Sequence, residues 1–245
     1  MQEPLSPVPD QGYVFRTGWR LLTSDVDASL RLRLDGVARN VQEVGAEHLN
    51  DCGYADVHPH WIVQRTVIDV LTPITLPSDI VFRRWCSGIS TRWCSMRVRL
   101  DGSDGGRIET EGFWINMNED TATPSLISEG LFERFATTTD DRRLKWRPWL
   151  PGPASSESVT PFPLRHTDID LFKHVNNTIY WQGVHEILAQ YPDVVSAPYR
   201  AVVEYRKPIQ PGEPVRIHSA LGNGEVRLWF VVDDEVRAAG LLAAL

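Results

Sequence analysis

Two stretches of this 245-residue chain leave a strand in the same way: Thr72-Pro73-Ile74-Thr75-Leu76-Pro77-Ser78-Asp79 and Lys207-Pro208-Ile209-Gln210-Pro211-Gly212-Glu213. In each, a Pro-Ile pair runs through a short turn to an acidic residue and a new strand, and the prolines bar a helix there. What precedes the two stretches repeats as well. Val37, Ala38, Val41, Val44, Gly45 and His48 share one helix face, which predicts a helix over about residues 36–51 with Asp35 as its cap and Gly53 as its stop. Tyr180, Val184, Ile187, Leu188 and Tyr191 do the same for a second helix over about 177–191, capped by Asn176 or Asn177. Strand patterns follow the first helix at Trp61–Leu71, Asp79–Ile89, Thr91–Leu100 and Arg107–Asn118. A strand near Ser158–Arg165 precedes the second helix, and Tyr199–Lys207, Glu213–Leu221, Glu225–Val232 and Glu235–Leu242 follow it. The pattern is that of an internal duplication, with units at 1–125 and 158–245. Residues 126–157 form an ordered crossover with mobile parts, with a short helix at Ser128–Ala136 and a Pro/Gly/Ser-rich stretch at Trp149–Ser158.

The densest chemistry lies just ahead of the second helix. Within residues 165–181 stand two carboxylates (Asp168, Asp170), an imidazole (His174) and two side-chain amides (Asn176, Asn177). The first-turn N–H groups of a helix lack intrahelical partners; a capping side chain takes one, and others can hold a carbonyl oxygen as it becomes negative. The same positive end suits a carboxylate. Such a group can draw a proton from water or attack an acyl carbon itself, and the sequence leaves both routes open. Asp and Asn are also common turn formers. That structural role is the one expected of Asp168 and Asn176, and the chemical one of Asp170 and His174.

Composition narrows the function classes. With 42% hydrophobic and 23% charged residues the chain is an ordinary globular sequence, and its net charge of −7 argues against broad nucleic-acid binding. Arg142, Arg143, Lys145 and Arg147 cluster in the crossover, as a solvated face or as a greeting to an acidic partner. No apolar run reaches the length of a membrane span, and residues 1–13 lack the pattern of a signal peptide, so a cytoplasmic protein is expected. Cys52, Cys86 and Cys94 are an odd number without C-x-x-C spacing and read as small buried apolar residues. His58-Pro-His60 has no nearby cysteine or spaced acidic ligand, so neither a metal nor another cofactor is expected.

From Tyr13 onward the order of the motifs resembles that of the acyl-acyl carrier protein thioesterases. The residues that carry the resemblance are Val41-Gln42-Glu43, Trp61-Ile62-Val63, Phe113-Trp114-Ile115-Asn116-Met117-Asn118, Asp168-Ile169-Asp170 with His174-Val175-Asn176-Asn177, and Glu204-Tyr205-Arg206. It implies an α+β tandem (double) hotdog of the bacterial type, with two antiparallel sheets each wrapped around a long central helix. The first hotdog would shape an acyl pocket and the second would hold the catalytic site. The implied reaction is hydrolysis of the thioester between a fatty acyl chain and acyl carrier protein, in fatty acid biosynthesis. By position, Asp170 matches the catalytic aspartate of such enzymes and His174 the catalytic histidine, and Asn177 joins them. Gln42, Glu43, Trp61 and Asn176 are expected to meet the substrate, although a Trp at a strand start is more often plain core. The chain departs from plant members at Phe172, where they have Asn, and at Pro208-Ile209, where they have Glu-Cys. Phe donates no hydrogen bond and Pro-Ile supplies neither carboxylate nor thiol, so the resemblance implies a different catalytic set.

Other readings stay open at this point. An acyl-coenzyme A thioesterase and a non-catalytic acyl-binding hotdog both fit the pattern. Hotdog hydratases space their Asp and His five apart within an Asp-x-Asn-Pro motif; here the spacing is four and the Asn-Pro is missing. Cys–His chemistry is disfavoured because the second half has no cysteine. Either a monomer or a homodimer is compatible with two fused units.

Overall fold

A computed structural model describes residues 4–150, 152, 157–192 and 197–245. The described chain runs β1 (Phe15–Arg20), α1 (Leu34–Cys52), β2 (Trp61–Thr72), β3 (Asp79–Ile89), β4 (Trp93–Gly102), β5 (Arg107–Asn116), α2 (Glu129–Ala136) and β6 (Ser158–Pro161). It continues through α3 (Asn177–Leu188), β7 (Tyr199–Tyr205), β8 (Arg216–Gly222), β9 (Glu225–Val232) and β10 (Glu235–Ala244). The ten strands form one sheet in the order β1-β3-β4-β5-β2-β7-β10-β9-β8-β6. From the centre outward the two halves match: β2-β5-β4-β3-β1 on one side and β7-β10-β9-β8-β6 on the other.

The expectation of two separate sheets is therefore corrected to one continuous antiparallel sheet. β2 and β7 would each be an edge with a row of unpaired N–H and C=O groups, and pairing Arg65–Val70 with Tyr199–Glu204 satisfies both rows. Side chains lock this seam. Arg65 stands opposite Glu204, Val67 opposite Val202 and Asp69 opposite Arg200. Arg65 Nη1 is 3.1 Å from Glu204 Oε1, while Arg200 reaches both carboxylate oxygens of Asp69 at 2.6 and 2.7 Å. Arg-x-Val-x-Asp on one strand thus meets Arg-x-Val-x-Glu on the other, related by a local two-fold. All four charged groups are buried. A slip in register would leave them unpaired in a poorly solvating interior, at several kcal/mol each.

α1 and α3 lie against one face of the sheet and against each other. Val37, Val41 and Val44 of α1 and Tyr180, Val184 and Ile187 of α3 pack there with Ile68, Phe82, Val203 and Phe230. Leu188 and Tyr191 also pack on this core, although α3 ends at Leu188 rather than 191. The other face of the seam, Val67 and Val202, is covered by Trp149 and Leu150 of the crossover. Within the Pro/Gly/Ser-rich stretch Trp149–Ser158, residues 151 and 153–156 lie outside the described residues.

Gly53 ends α1 in the left-handed conformation at φ +75°, as its position suggested. Asp35 is not the cap. Arg33 occupies that place with no side-chain capping bond, and Asp35 sits in the first turn, where Arg33 and Arg39 claim its carboxylate at 2.9 and 2.8 Å. Cys52, Cys86 and Cys94 are buried and unbridged. No helix among the described residues is long and apolar enough to cross a membrane.

Candidate functional site

The segment before α3 is a closed loop built on Asp168. This aspartate is 2% exposed, and its carboxylate takes the Arg165 backbone N–H at 2.8 Å and the Arg165 guanidinium at 2.8–3.2 Å. Its carbonyl accepts the Asn176 N–H, closing the loop across its base, and Ile169 bridges Val175. Inside it the Asp170 N–H donates to the His174 carbonyl, and the Lys173 N–H donates to the Asp170 carbonyl from a backbone at φ +63°. Asp170 Oδ1 accepts the Phe172 N–H at 2.9 Å. The result sets Asp170 Oδ2 3.4 Å from His174 Nδ1, an approach without hydrogen-bond geometry.

Asn176 is the cap of α3, its Oδ1 accepting the Thr178 N–H and hydroxyl at 2.9 and 2.8 Å. With its own N–H given to Asp168, the first-turn donor left over is Asn177, whose N–H has no acceptor among the described residues. The Asn177 carbonyl is held by the Tyr205 hydroxyl at 3.2 Å, which in turn accepts Trp181 Nε1 at 3.0 Å. Burial raises the Tyr205 phenol, so it remains a neutral donor. Sequence reasoning missed this Trp181–Tyr205 support, which no local pattern announces.

The first half carries the same loop. Asp27 N–H donates to the Arg31 carbonyl, Leu30 N–H to the Asp27 carbonyl, Arg33 N–H to the Asp25 carbonyl, and Asp27 Oδ1 accepts the Ser29 N–H. Leu30 has φ +62°, against +63° at Lys173. Leu32 N–H reaches the Ile74 carbonyl as Val175 N–H reaches that of Ile209, so the two Pro-Ile stretches serve one purpose: each presents a carbonyl that anchors its loop. Asp27 thus matches Asp170, and Arg31 matches His174.

A cavity of about 760 Å³ opens beside the second loop, lined by Asp170, His174, Asn176 and Asn177 and also by Gln42, Trp61, Val63, Trp114 and Phe135. Trp61 is a fixed wall, its indole N–H donating to the His58 carbonyl at 3.0 Å. Glu43 is exposed and does not line the cavity, since the next residue along a helix is turned about 100° from Gln42. Leu171, 80% exposed, and Phe172 also belong to the lining. The Phe172 ring stacks on His174 at 5.8 Å between centroids and meets His60 edge-on at 5.4 Å, so it braces the imidazole by contact where a hydrogen-bonding residue was the alternative.

Arg84 of β3 also lines the cavity and was not foreseen. The signal was present: Ile80, Phe82 and Arg84 alternate onto one face, placing a charge where the period calls for an apolar residue. His58 Nε2 accepts the Ser128 N–H at 3.1 Å ahead of α2, a structural task. Among the described residues no three His, Cys, Asp or Glu side chains gather as a metal site. Arg142, Arg143, Lys145 and Arg147 are exposed.

Comparison with known proteins places this geometry. The family model of the acyl-ACP thioesterase N-terminal domain matches residues 12–135, and that of the acyl-ACP thioesterase C-terminal domain matches residues 153–239. An uncharacterized protein of Mycobacterium tuberculosis is 64% identical over 237 residues, covering 97% of this chain and 94% of that one. Oleoyl-acyl carrier protein thioesterase 1 of Arabidopsis thaliana, a chloroplastic protein, is 22% identical over 240 residues, covering 86% of this chain and 65% of its own. Among solved structures, the 12:0-ACP thioesterase from Umbellularia californica superposes with a TM-score of 0.75 at 16% identity, covering 98% of each chain. A putative oleoyl thioesterase from Lactobacillus plantarum gives 0.76 at 18% identity, covering 96% of this chain and 97% of that one. At such identities the solved structures speak for a shared fold, that of hotdog-type thioesterases.

Proposed function

We propose that this chain, which belongs to the acyl-ACP thioesterase family, hydrolyses the thioester of fatty acyl-acyl carrier protein at the Asp170–His174 loop. It would thereby release fatty acids in fatty acid biosynthesis, in the cytoplasm and without metal or other cofactor. The observation that carries the reading is one cavity whose wall includes both the Asp170, His174 and Asn177 groups and a predominantly apolar lining from the first half. A reacting carbonyl and its acyl chain are housed together. On this reading residues 1–125 are a hotdog that forms the acyl pocket, 126–157 a crossover, and 158–245 the catalytic hotdog.

The chemistry follows from the loop. Asp170 takes a proton from a water molecule, the resulting hydroxide attacks the thioester carbon, and the carbonyl oxygen becomes negative against the Asn177 N–H. Collapse breaks the C–S bond, and the proton held by Asp170 passes to the departing sulfur. His174, braced by Phe172, orients the water. Asn176 shapes the helix start that presents the donor, while Gln42 and Trp61 border the acyl chain; Glu43 takes no part.

Single-turnover hydrolysis of acyl-acyl carrier protein and acyl-coenzyme A series tests this. Asp170→Asn should slow the step by about 10²–10⁴-fold with the melting temperature unchanged, because the amide keeps the shape but takes no proton at neutral pH. His174→Ala should lose less. Wild-type-like hydrolysis by Asp170→Asn overturns the mechanism, and acyl binding without turnover on any substrate identifies a binding module instead. In ¹⁸O water, a single turnover should label the released acid and leave Asp170 unlabelled; label in Asp170 would mean that the carboxylate attacks directly.

A further inference from the structure

The cavity carries a cation that no anion among the described residues answers. Four arginines are buried among the described residues, and three have carboxylates: Arg65 with Glu204, Arg97 with Glu109, Arg200 with Asp69. Arg84, 7% exposed, makes no ion pair among the described residues, and its guanidinium hydrogen bond goes to His48 Nδ1 at 2.6 Å. His48 is fully buried and held neutral, its pKa pushed down to about 2 by burial and then by Arg84 and Arg134. Because Nδ1 accepts from Arg84, the imidazole proton sits on Nε2, which also lacks a partner. The sulfurs nearby supply no charge: burial pushes the Cys86 thiol up to about 12 and the Cys94 thiol well above its ordinary value, so both remain protonated. A guanidinium does not deprotonate to escape its burial. Among the described residues this charge is therefore uncompensated, in a cavity wall that also includes Leu49, Cys94, Trp114 and Phe135.

Its place matters as much as its charge. Tyr205 of β7 holds the Asn177 carbonyl at the reacting end, whereas Arg84 belongs to β3, reached from β2 across β5 and β4. At about 4.8 Å per strand, β3 lies roughly 14 Å from β2. We propose that the acyl group taken by this cavity ends in a carboxylate at the far end from the thioester, and that Arg84 pairs with it. This rests on the acyl-thioester reading above and names its substrate class: an ω-carboxyacyl thioester. A methyl-ended chain would displace water from the guanidinium and return nothing to it, whereas a carboxylate accepts its donors with full charge complementarity.

The test compares dodecanoyl-coenzyme A with its ω-carboxy counterpart, and the same pairs from octanoyl to hexadecanoyl, in wild type and in Arg84→Met. Wild type should favour the ω-carboxy substrate in kcat/KM by about tenfold or more at its best length, and Arg84→Met, which keeps the reach and drops the charge, should reverse the preference. A methyl-ended preference of wild type at every length overturns the inference even if the variant does not fold. So does an unchanged ratio in a folded variant. Calorimetric binding of dodecanamide and ω-carboxydodecanamide separates this from the activity. If neither amide binds, the acyl cavity itself is refuted and the inference falls with it. If the methyl-ended amide binds as well or better, the terminal carboxylate alone is refuted.

Discussion

Asp27 and Asp170 hold the same loop position, each accepting the N–H two residues on, yet one loop presents Arg31 where the other presents His174. The same backbone thus frames different side chains, a guanidinium in one copy and an imidazole in the other. His48 illustrates what burial does to such a group. Its folded pKa is about 2 against the ordinary 6.5. Below 6.5 the unfolded chain binds a proton that the folded chain refuses, so this contribution to stability is present above that pH and is lost as pH falls, by about 1.4 kcal/mol per pH unit at most. Urea midpoints taken from about pH 6 to about pH 4 should show His48→Asn losing stability less steeply than wild type by roughly that slope; equal slopes would show that His48 titrates normally. The structural roles of Asp168 and Asn176 were legible because short polar side chains bond backbone within a few residues. The nearness of Asp170 and His174 was legible for the same local reason. Arg84 stood out only as a charge on the buried face of its strand, with nothing local to say which cavity it meets, and the Trp181–Tyr205 support joins a helix to a strand, where local pattern is silent.

The helices were readable by their apolar faces, since the period of buried positions survives whatever they pack against. Their ends were less so: Asp35 looks like a cap until Arg33 and Arg39 take its carboxylate. The joining of two sheets into one was missed because alternation reports which faces are buried and says nothing of what lies beyond a strand's edge. A clue stood in the repeated Arg-x-Val-x-acid of residues 65–69 and 200–204. It makes a sharp prediction for the seam. Asp69→Leu alone should cost about 3–5 kcal/mol by taking the carboxylate from the buried Arg200, whereas Asp69→Leu with Arg200→Met should recover most of the loss, because a packed apolar pair replaces the ionic one. Urea unfolding of the singles and the double measures this. A double variant no better than the sum of its singles would deny the seam pair its register-fixing role.

Across the whole molecule the crossover is tied down where it passes behind the seam. Glu204 accepts the Trp149 and Leu150 N–H groups at 2.7 and 3.1 Å, Arg206 donates to the Leu150 carbonyl at 2.6 Å, and Arg65 lies 3.6 Å over the Trp149 ring. Continuity of the chain beyond that point should matter less than the seam itself. Two fragments divided after Gly152 should therefore associate on mixing into one species with wild-type hydrolysis, while each alone, with an open β2 or β7 edge, should aggregate or fail to fold cooperatively. Size-exclusion chromatography and calorimetry check this, and a monomeric, cooperatively folding C-terminal fragment would refute it. Joining the two units in one chain also has a hereditary consequence. In an assembly of identical copies every mutation arrives twice, so a change that suits the acyl wall is imposed on the reacting loop as well. Here it arrives once: Arg31 and His174, at matching positions of two like loops, can change independently of each other.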